Sequence, residues 1–330
     1  MARIAVLDDY QQVAVRYGDW ERLEAAGHEL TFFHVHLGGL DSVARALEPF
    51  EIVCAMRERT PFPAELLERL PRLELLITTG MQNRAIDLDA AAVKGVTVCG
   101  TGGGRGRGTA ELTWALILAL ARRIPEEDAH MRSGGWQTTV GVGLHGKTLA
   151  VLGLGNLGSA VSRIGSAFGM SCIAWSENLT PARAAEVGVE LVRKEDLFRR
   201  ADVLSIHLVL SDRTRGLVGE AEFGLMKPTA LLVNTSRGPI VDEPALLAAL
   251  ASESIGGAAL DVYSAEPLPP DHPLRRTRNT VLAPHVGFVT DEVYEAFYPD
   301  VVEDVEAFLA GSPVRVIALP TAAVKTQRDV

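Results

Sequence analysis

The segment Gly153-Leu154-Gly155-Asn156-Leu157-Gly158 constrains the fold of this chain more than any other, because of what flanks it. Thr148–Leu152, before it, is nearly all apolar, the pattern of a parallel strand buried on both faces. Residues 159–168, after it, carry apolar groups at helical spacing. A second strand-like run, 172–175, then ends in the polar Ser176, Glu177 and Asn178. Strand, glycine turn, helix and strand together form a βαβ unit with the glycine spacing of a dinucleotide site. The first glycine makes the tight turn, and the second lets backbone N–H groups approach a pyrophosphate. The third lets the helix pack close to the sheet, and the helix N-terminus offers partial positive charge to the phosphates. A merely structural glycine turn is the alternative, and the full βαβ context counts against it.

In such a unit an acidic residue about 20 residues further on holds the ribose 2′-OH. Ser176 falls at that strand tip, and Glu177 is the first carboxylate after it. Glu177 would repel a 2′-phosphate, whereas Ser176 with Asn178 would tolerate one. The nearest downstream arginine is Arg183. NAD(H) is therefore expected, with NADP(H) left open.

A second glycine cluster, residues 100–108, also follows a strand-like run and precedes a helical one. Its glycines are too dense for a single tight turn, and they enclose Arg105 and Arg107. A hinge between domains is the expected reading; a second anion site using either arginine is the alternative.

At 330 residues the chain is long enough for two domains with ample cores. A formal net charge of −10 argues against nucleic acid or an anionic membrane as the main partner. Cys54, Cys99 and Cys172 lie in apolar strand-like runs without metal spacing, so buried reduced thiols and no metal site are expected. Residues 3–7 read as a first strand rather than a signal peptide, and the longest apolar stretch, 112–121, is too short to cross a bilayer. A soluble cytoplasmic protein is expected.

The first hundred residues alternate strand and helix signals. Strands are expected at 3–7, 30–34, 52–56, 75–79 and 96–99, with helices at 20–26, 63–70 and 87–94; this pattern is a small parallel α/β domain. After the glycine cluster a long helix begins near Thr109. Strands at 203–207, 230–234, Gly257–Leu260 and 280–283 and a helix at Glu243–Ala251 extend the fingerprint domain. The helix Asp291–Leu309 is expected to return to the first domain and cover it.

Three residues beyond the fingerprint stand just past predicted strand ends, the edge where open α/β sheets bind ligands. They are Arg237, Glu266 and His285. Singly each has an ordinary reading: a surface ion pair, a loop carboxylate, a helix-cap or core histidine. Together, beside a nicotinamide, they suit reduction of a 2-keto acid. That reaction needs a clamp for the carboxylate, and the planar arginine fork provides one. It also needs a proton for the carbonyl oxygen, which histidine supplies near neutral pH. A carboxylate on the other ring nitrogen fixes the tautomer and stabilises the imidazolium.

Further motifs carry a resemblance to a known family: residues 201–207 (ADVLSIH), Met226-Lys227-Pro228, residues 234–238 (NTSRG), residues 259–262 (ALDV) with Glu266-Pro267, and Pro284-His285. Over nearly its whole length the chain resembles the D-isomer-specific 2-hydroxyacid dehydrogenases. The resemblance implies an α/β fold of two Rossmann-like or flavodoxin-like parallel-sheet domains joined by a double crossover, with the active site in the cleft between them. Residues 1–101 with about 293–330 would form the substrate-binding domain, and 102–292 the dinucleotide-binding domain. It implies NAD(P)-dependent interconversion of a 2-keto acid and a D-2-hydroxy acid. In that reaction Arg237 would clamp the carboxylate, Glu266 would orient His285, and His285 would act as acid and base. Gly153, Gly155, Asn156, Leu157, Gly158, Ser176, Glu177, His207, Thr214, Thr235 and Asp261 would hold the dinucleotide, Asp261 at the carboxamide. Arg57, Gly80 and Met81 would join Arg237 in binding substrate. A homodimer is implied too, built largely by the fingerprint domain and the segment 130–147, which reads as an extended arm, a mobile surface loop being the alternative.

This chain departs from the family pattern in three places: Ser176 replaces the usual aspartate, Met81 follows Gly80 in place of a small aromatic residue, and Val286-Gly287-Phe288 replaces the paired glycines after the histidine. The choice of 2-keto acid, the physiological direction and the nicotinamide preference stay open on this reading. Glu266 counts against a formate dehydrogenase. The rival in another class is a dinucleotide-sensing, corepressor-like binding protein without significant turnover, against which stands the lack of a basic or disordered extension.

Overall fold

The computed structural model describes residues 1–103 and 107–321. The chain divides into two compact units, Met1–Arg105 with Thr290–Val330, and Gly106–Val289. It passes from one unit to the other twice.

The first unit holds a six-stranded sheet. Its strands are β1 (Arg3–Val6), β2 (Glu29–Phe32), β3 (Ile52–Ala55), β4 (Leu75–Thr78), β5 (Thr97–Gly100) and β13 (Val316–Ala318), in the order β13-β5-β4-β3-β1-β2. All neighbours run parallel except β13, which lies antiparallel on β5. The second unit holds seven parallel strands, β6 (Thr148–Leu152), β7 (Ser171–Trp175), β8 (Glu190–Leu191), β9 (Val203–Ile206), β10 (Leu231–Asn234), β11 (Gly257–Leu260) and β12 (Thr280–Leu282). Their order is β12-β11-β10-β9-β6-β7-β8. Two α/β units of parallel-dominated sheets with covering helices are the architecture expected from the sequence.

Side-chain alternation explains the unbroken apolar runs of the second sheet. Leu152, Leu204, Leu232 and Leu260 face one core, while Val151, Val203, Val233 and Ala259 face the other. A parallel sheet covered on both faces needs both sets, so its strands cannot alternate apolar with polar. The helix Gly108–Ala121 covers the second of these faces. Its Trp114 stacks on Phe168 with centroids 4.8 Å apart, and the indole donates to the Val161 carbonyl at 3.2 Å.

The helices Glu243–Ala251 and Asp291–Leu309 span the residues expected. Several short elements carried no clear signal: the helices Leu40–Leu47, Pro181–Val187 and Lys194–Arg200, and the strands β8 and β13. The arm expected over 130–147 begins later than that, because His130 to Arg132 close a helix, Ile124–Arg132. That helix carries Pro125, Glu126 and Glu127 in its first turn and His130 and Arg132 in its last, a charge order that suits the helix dipole without needing apolar periodicity. Of the glycine cluster, Gly104, Arg105 and Gly106 lie outside the described residues, while Gly100 closes β5 and Gly108 opens the next helix. The three cysteines are free and buried. No helix among the described residues is long and apolar enough to cross a membrane.

In the first unit Asp304 of the C-terminal helix is fully buried. One oxygen receives Arg315 Nε at 3.0 Å, and the other has no hydrogen-bond partner among the described residues. Burial pushes the carboxyl up to about 7; Asp300 and Glu303 add to this and Arg315 opposes it. A carboxyl with a raised folded-state pKa binds a proton that the unfolded chain has lost, so stability falls as pH rises from about 4 to about 7. Asp304→Asn removes that dependence. Thermal melts should show the two proteins close at pH 5 and the variant more stable at pH 8 by about 5 °C.

Candidate active site

In the second sheet the strand order reverses between β6 and β9, which opens a crevice at their C-terminal ends. Gly153 turns there with φ +102°, its N–H bonded to the Trp175 carbonyl at 2.9 Å. A Cβ on Gly153 would lie 2.7 Å from the His207 carbonyl oxygen at the end of β9. Gly155 caps the helix Asn156–Ala167, and a Cβ placed on it would meet nothing within 4 Å. Gly158 packs so closely that its Cβ would lie 2.1 Å from the Gly153 carbonyl oxygen. One glycine thus turns, one leaves open space before the first N–H groups of a helix, and one sets the close approach of helix and turn. This arrangement fits a pyrophosphate, held by the amides around Gly155, Asn156 and Leu157.

The neighbouring residues fall as follows. Ser176 follows the tip of β7, half-buried, with Glu177 exposed beside it. Arg183 reaches back to Ser159 Oγ at 3.1 Å and pairs with Glu186. His207 bonds through Nε2 to Ser205 Oγ at 2.8 Å. Although part of that residue reaches solvent, desolvation of the ring holds its pKa down, to about 4, so it is neutral at pH 7. Thr214 closes its own loop: its hydroxyl donates to the Val209 carbonyl and accepts from the Ser211 N–H, both at 2.8 Å.

Arg237 follows β10 in a turn built by its neighbours. The buried Asn234 side chain donates to the Arg237 carbonyl at 3.0 Å and accepts from the Ser236 N–H at 3.0 Å. Ser236 Oγ donates to the Leu208 carbonyl across the sheet edge. Gly238 lies against the backbone of Tyr263, where a Cβ would sit 2.0 Å from the carbonyl carbon. That contact presses the Arg237 turn onto the loop that follows β11.

The loop after β11 carries Glu266, and the turn after β12 carries His285. His285 Nδ1 and Glu266 Oε2 are 2.5 Å apart, while the other Glu266 oxygen accepts the Tyr263 N–H at 2.8 Å. Their side chains are 19% and 30% exposed, so the pair is held by the protein yet open to a small molecule. His285 adopts φ +55°, a backbone state that is uncommon outside glycine. The next two amides, Val286 and Gly287, donate to the two oxygens of Asp261 at 2.8 and 2.9 Å. Asp261 is buried, and burial raises its pKa against the pull of those amides and of His285. Asp261, expected from the resemblance to meet a carboxamide, here also fastens the turn that presents His285. Tyr263 bonds to the Ala283 carbonyl at 2.9 Å and ties the two loops together.

In the first unit the sequence-predicted substrate residues also cluster. Arg57 has φ +50°; its N–H bonds Thr79 Oγ1 at 3.0 Å and its carbonyl accepts from Asn83 at 2.7 Å. Its guanidinium lies over Gly80, 2.9 Å from where a Cβ would stand. Gly80 has φ +87° and donates to Thr101 Oγ1 at 2.8 Å, and Met81 beside it is exposed. Sequence reasoning missed Asn234, Tyr263 and the fastening role of Asp261. The only signal for them lay in the NTSRG and ALDV motifs, which mark positions without stating contacts. No cluster of metal-ligating side chains occurs among the described residues.

A family model described as D-isomer specific 2-hydroxyacid dehydrogenase, NAD binding domain, matches residues 114–287. A glyoxylate reductase of Aeropyrum pernix is 45% identical over 256 residues, 75% of this chain and 76% of that protein. A D-3-phosphoglycerate dehydrogenase of Archaeoglobus fulgidus is 35% identical over 83% of this chain and 52% of its own length. Among solved structures, a phosphoglycerate oxidoreductase from Vibrio cholerae superposes with a TM-score of 0.89 at 36% identity, covering 94% of this chain and all of that one. The chain belongs to the D-isomer-specific 2-hydroxyacid dehydrogenase family. It is an NAD-dependent 2-hydroxyacid dehydrogenase, and NAD(H) is its cofactor.

The glycine turn yields a paired test. Gly155→Ala fills open space, so the protein should melt as wild type does yet lose NADH affinity. Gly158→Ala should lose both, because its Cβ collides with backbone. Melting curves and NADH fluorescence titrations on both variants check this.

Proposed function

We propose that the chain reduces small 2-keto acids to their D-2-hydroxy acids, with His285 as general acid, Glu266 as the group that orients it, and Arg237 as the clamp on the substrate carboxylate. The observation that carries this reading is the 2.5 Å contact between His285 Nδ1 and Glu266 Oε2 at the strand-end edge that also bears the glycine turn. With Nδ1 engaged, Nε2 is the nitrogen that delivers a proton to the carbonyl oxygen. The Arg237 guanidinium meets a carboxylate with two parallel bonds and so fixes the orientation of the keto acid. Bound NADH supplies the hydride to the carbonyl carbon. We assign Ser176 and Glu177 to the ribose, the glycine turn to the pyrophosphate, His207, Thr214, Thr235 and Asp261 to the rest of the dinucleotide, and Arg57, Gly80 and Met81 to the substrate. Glyoxylate, the substrate named by the Aeropyrum relative, is the first choice. Three buried free thiols suit a reducing cytoplasm.

The test is loss of NADH absorbance with glyoxylate, hydroxypyruvate, and branched and aromatic 2-keto acids. Turnover should be fastest with the smallest. His285→Ala should lower kcat by roughly 10²–10⁴, the reach of a general acid, with NADH binding intact. Arg237→Lys should raise the keto-acid KM, and Glu266→Gln should lower kcat with little change in KM. An unchanged rate in the His285 variant would remove that residue from the mechanism.

We also assign a homodimer to the chain. Met131, Trp136, Val140 and Val142, on and beside the arm, are 50%, 69%, 93% and 42% exposed, a run of large apolar side chains within twelve residues that a partner would cover. Trp136→Glu with Val140→Asp should turn a dimer into a monomer in light scattering; a wild-type monomer would end this assignment.

A further inference from the structure

Two threonines of the helix Gly108–Ala121 stand outside the proposed chemistry, yet they bond to the loops that hold Arg237 and His285. Thr109 Oγ1 donates to the Gly287 carbonyl at 2.9 Å. Thr113 Oγ1 donates to the Thr109 carbonyl at 2.7 Å and lies 2.8 Å from Thr235 Oγ1. A hydroxyl has one proton, so Thr113, having given its own to Thr109, accepts from Thr235. Three hydroxyls therefore form a directed chain, from Thr235 to Thr113, to the Thr109 carbonyl, and from the Thr109 hydroxyl to Gly287. Thr113 is fully buried and Thr235 is 6% exposed, so water does not compete for the bond between them, while the Thr109 end is half-buried. One end of the chain lies two residues before Arg237 and the other two residues after His285.

We propose that Thr109 and Thr113 are positioning residues that fix His285 relative to Arg237, the acid relative to the clamp. The sheet itself does not set this distance. Arg237 follows β10 and His285 follows β12, with β11 between them, and both residues lie in turns beyond the strand ends. His285 also holds a left-handed φ of +55°, a conformation that needs its surroundings to define it. Asp261 fastens the N–H groups of that turn, and Thr109 fastens the carbonyl that follows them. A Cβ on Gly287 would lie 3.3 Å from Thr109 Cγ2, so methyl and hydroxyl both meet the turn. Proton transfer tolerates little misplacement: an error of about 1 Å can cost about a hundredfold in rate. A helix with a packed apolar body is a stiff mount for both loops.

The inference rests on the acid and clamp roles of His285 and Arg237, and the experiment separates its failure from theirs. The variants Thr109→Val, Thr109→Ser, Thr113→Val and His285→Ala are compared by steady-state reduction of glyoxylate with NADH, by NADH fluorescence titration and by thermal melting. Thr109→Val should lower kcat about tenfold, the effect of one lost hydrogen bond, with the glyoxylate KM within about twofold of wild type. Thr113→Val should lower kcat and raise KM, because it frees the turn of Arg237 as well. Thr109→Ser keeps the hydroxyl and should restore the rate, and NADH affinity should hold in both Thr109 variants. Wild-type kcat and KM in both valine variants, beside an inactive His285→Ala, would overturn the positioning role alone. A serine variant as slow as the valine would also overturn it, since the methyl and not the hydroxyl would then matter. An active His285→Ala would overturn the acid assignment instead. If Thr113→Val fails to fold, the Thr109 pair decides the matter.

Discussion

Parallel strands all end at one edge of their sheet, and in the second unit that geometric fact places the proposed acid, its partner carboxylate, the clamp and the glycine turn. The loops after β6, β9, β10, β11 and β12 carry Gly153, His207, Arg237, Glu266 and His285 in turn. The strands themselves are largely apolar on both faces, with the buried Ser205 satisfied by His207, so most polar side chains gather where the ladder stops. The reversal of strand order between β6 and β9 then opens the one place on that edge where adjacent loops diverge, and the glycine turn lies there.

Bringing five loops together on one edge requires backbones to approach closely, and the glycines mark where they do. Gly153 meets the His207 carbonyl, and Gly238 meets the backbone of Tyr263 at a distance no side chain would permit. These contacts are steric conditions more than sources of stability. What holds the loops in place are buried polar side chains bonded to backbone: Asn234 within the Arg237 turn, Tyr263 from the β11 loop to Ala283, Asp261 beneath the His285 turn. Each such bond contributes only about 1 kcal/mol net, but losing one leaves a buried group unsatisfied and costs more. Loop geometry is therefore set by a few specific residues and not by the bulk of the core.

How much of this was legible follows from the range of each signal. Thr148–Leu152 and Glu243–Ala251 were readable to the residue, because a buried strand and a proline-started, alanine-rich helix each declare themselves within one short window. β8 and β13, two and three residues long, carry no periodicity to detect and exist only because a neighbouring strand pairs with them. Helix Ile124–Arg132 went unread because its face is polar and its order comes from charge placement. At the site, Arg237, Glu266 and His285 could be named because their types fit one reaction and their motifs match a family. Thr109 and Thr113 could not be found in this way. Their contacts, Thr113 with Thr235 and Thr109 with Gly287, join residues 122 and 178 positions apart. Nothing in a local window marks a threonine as the partner of a distant carbonyl.

The chemical type of these supports is itself informative. Glu266, Arg237 and His285 carry the charges that the proposed reaction uses, and any further ion among them would shift their protonation or compete for the substrate carboxylate. Hydroxyl, amide and phenol groups tie the loops together without adding charge. Asp261 is the exception, and its charge is spent on two backbone amides in a buried setting, with burial and those amides opposing each other. A chain with net charge −10 gives an anionic keto acid no long-range attraction. The local cations proposed to meet the substrate, Arg237 and Arg57, then have to do the recruiting at short range, where orientation matters as much as sign. Neutral braces such as Asn234 set the backbone turn that presents Arg237 without adding ions, whose pairing would vary with salt and pH.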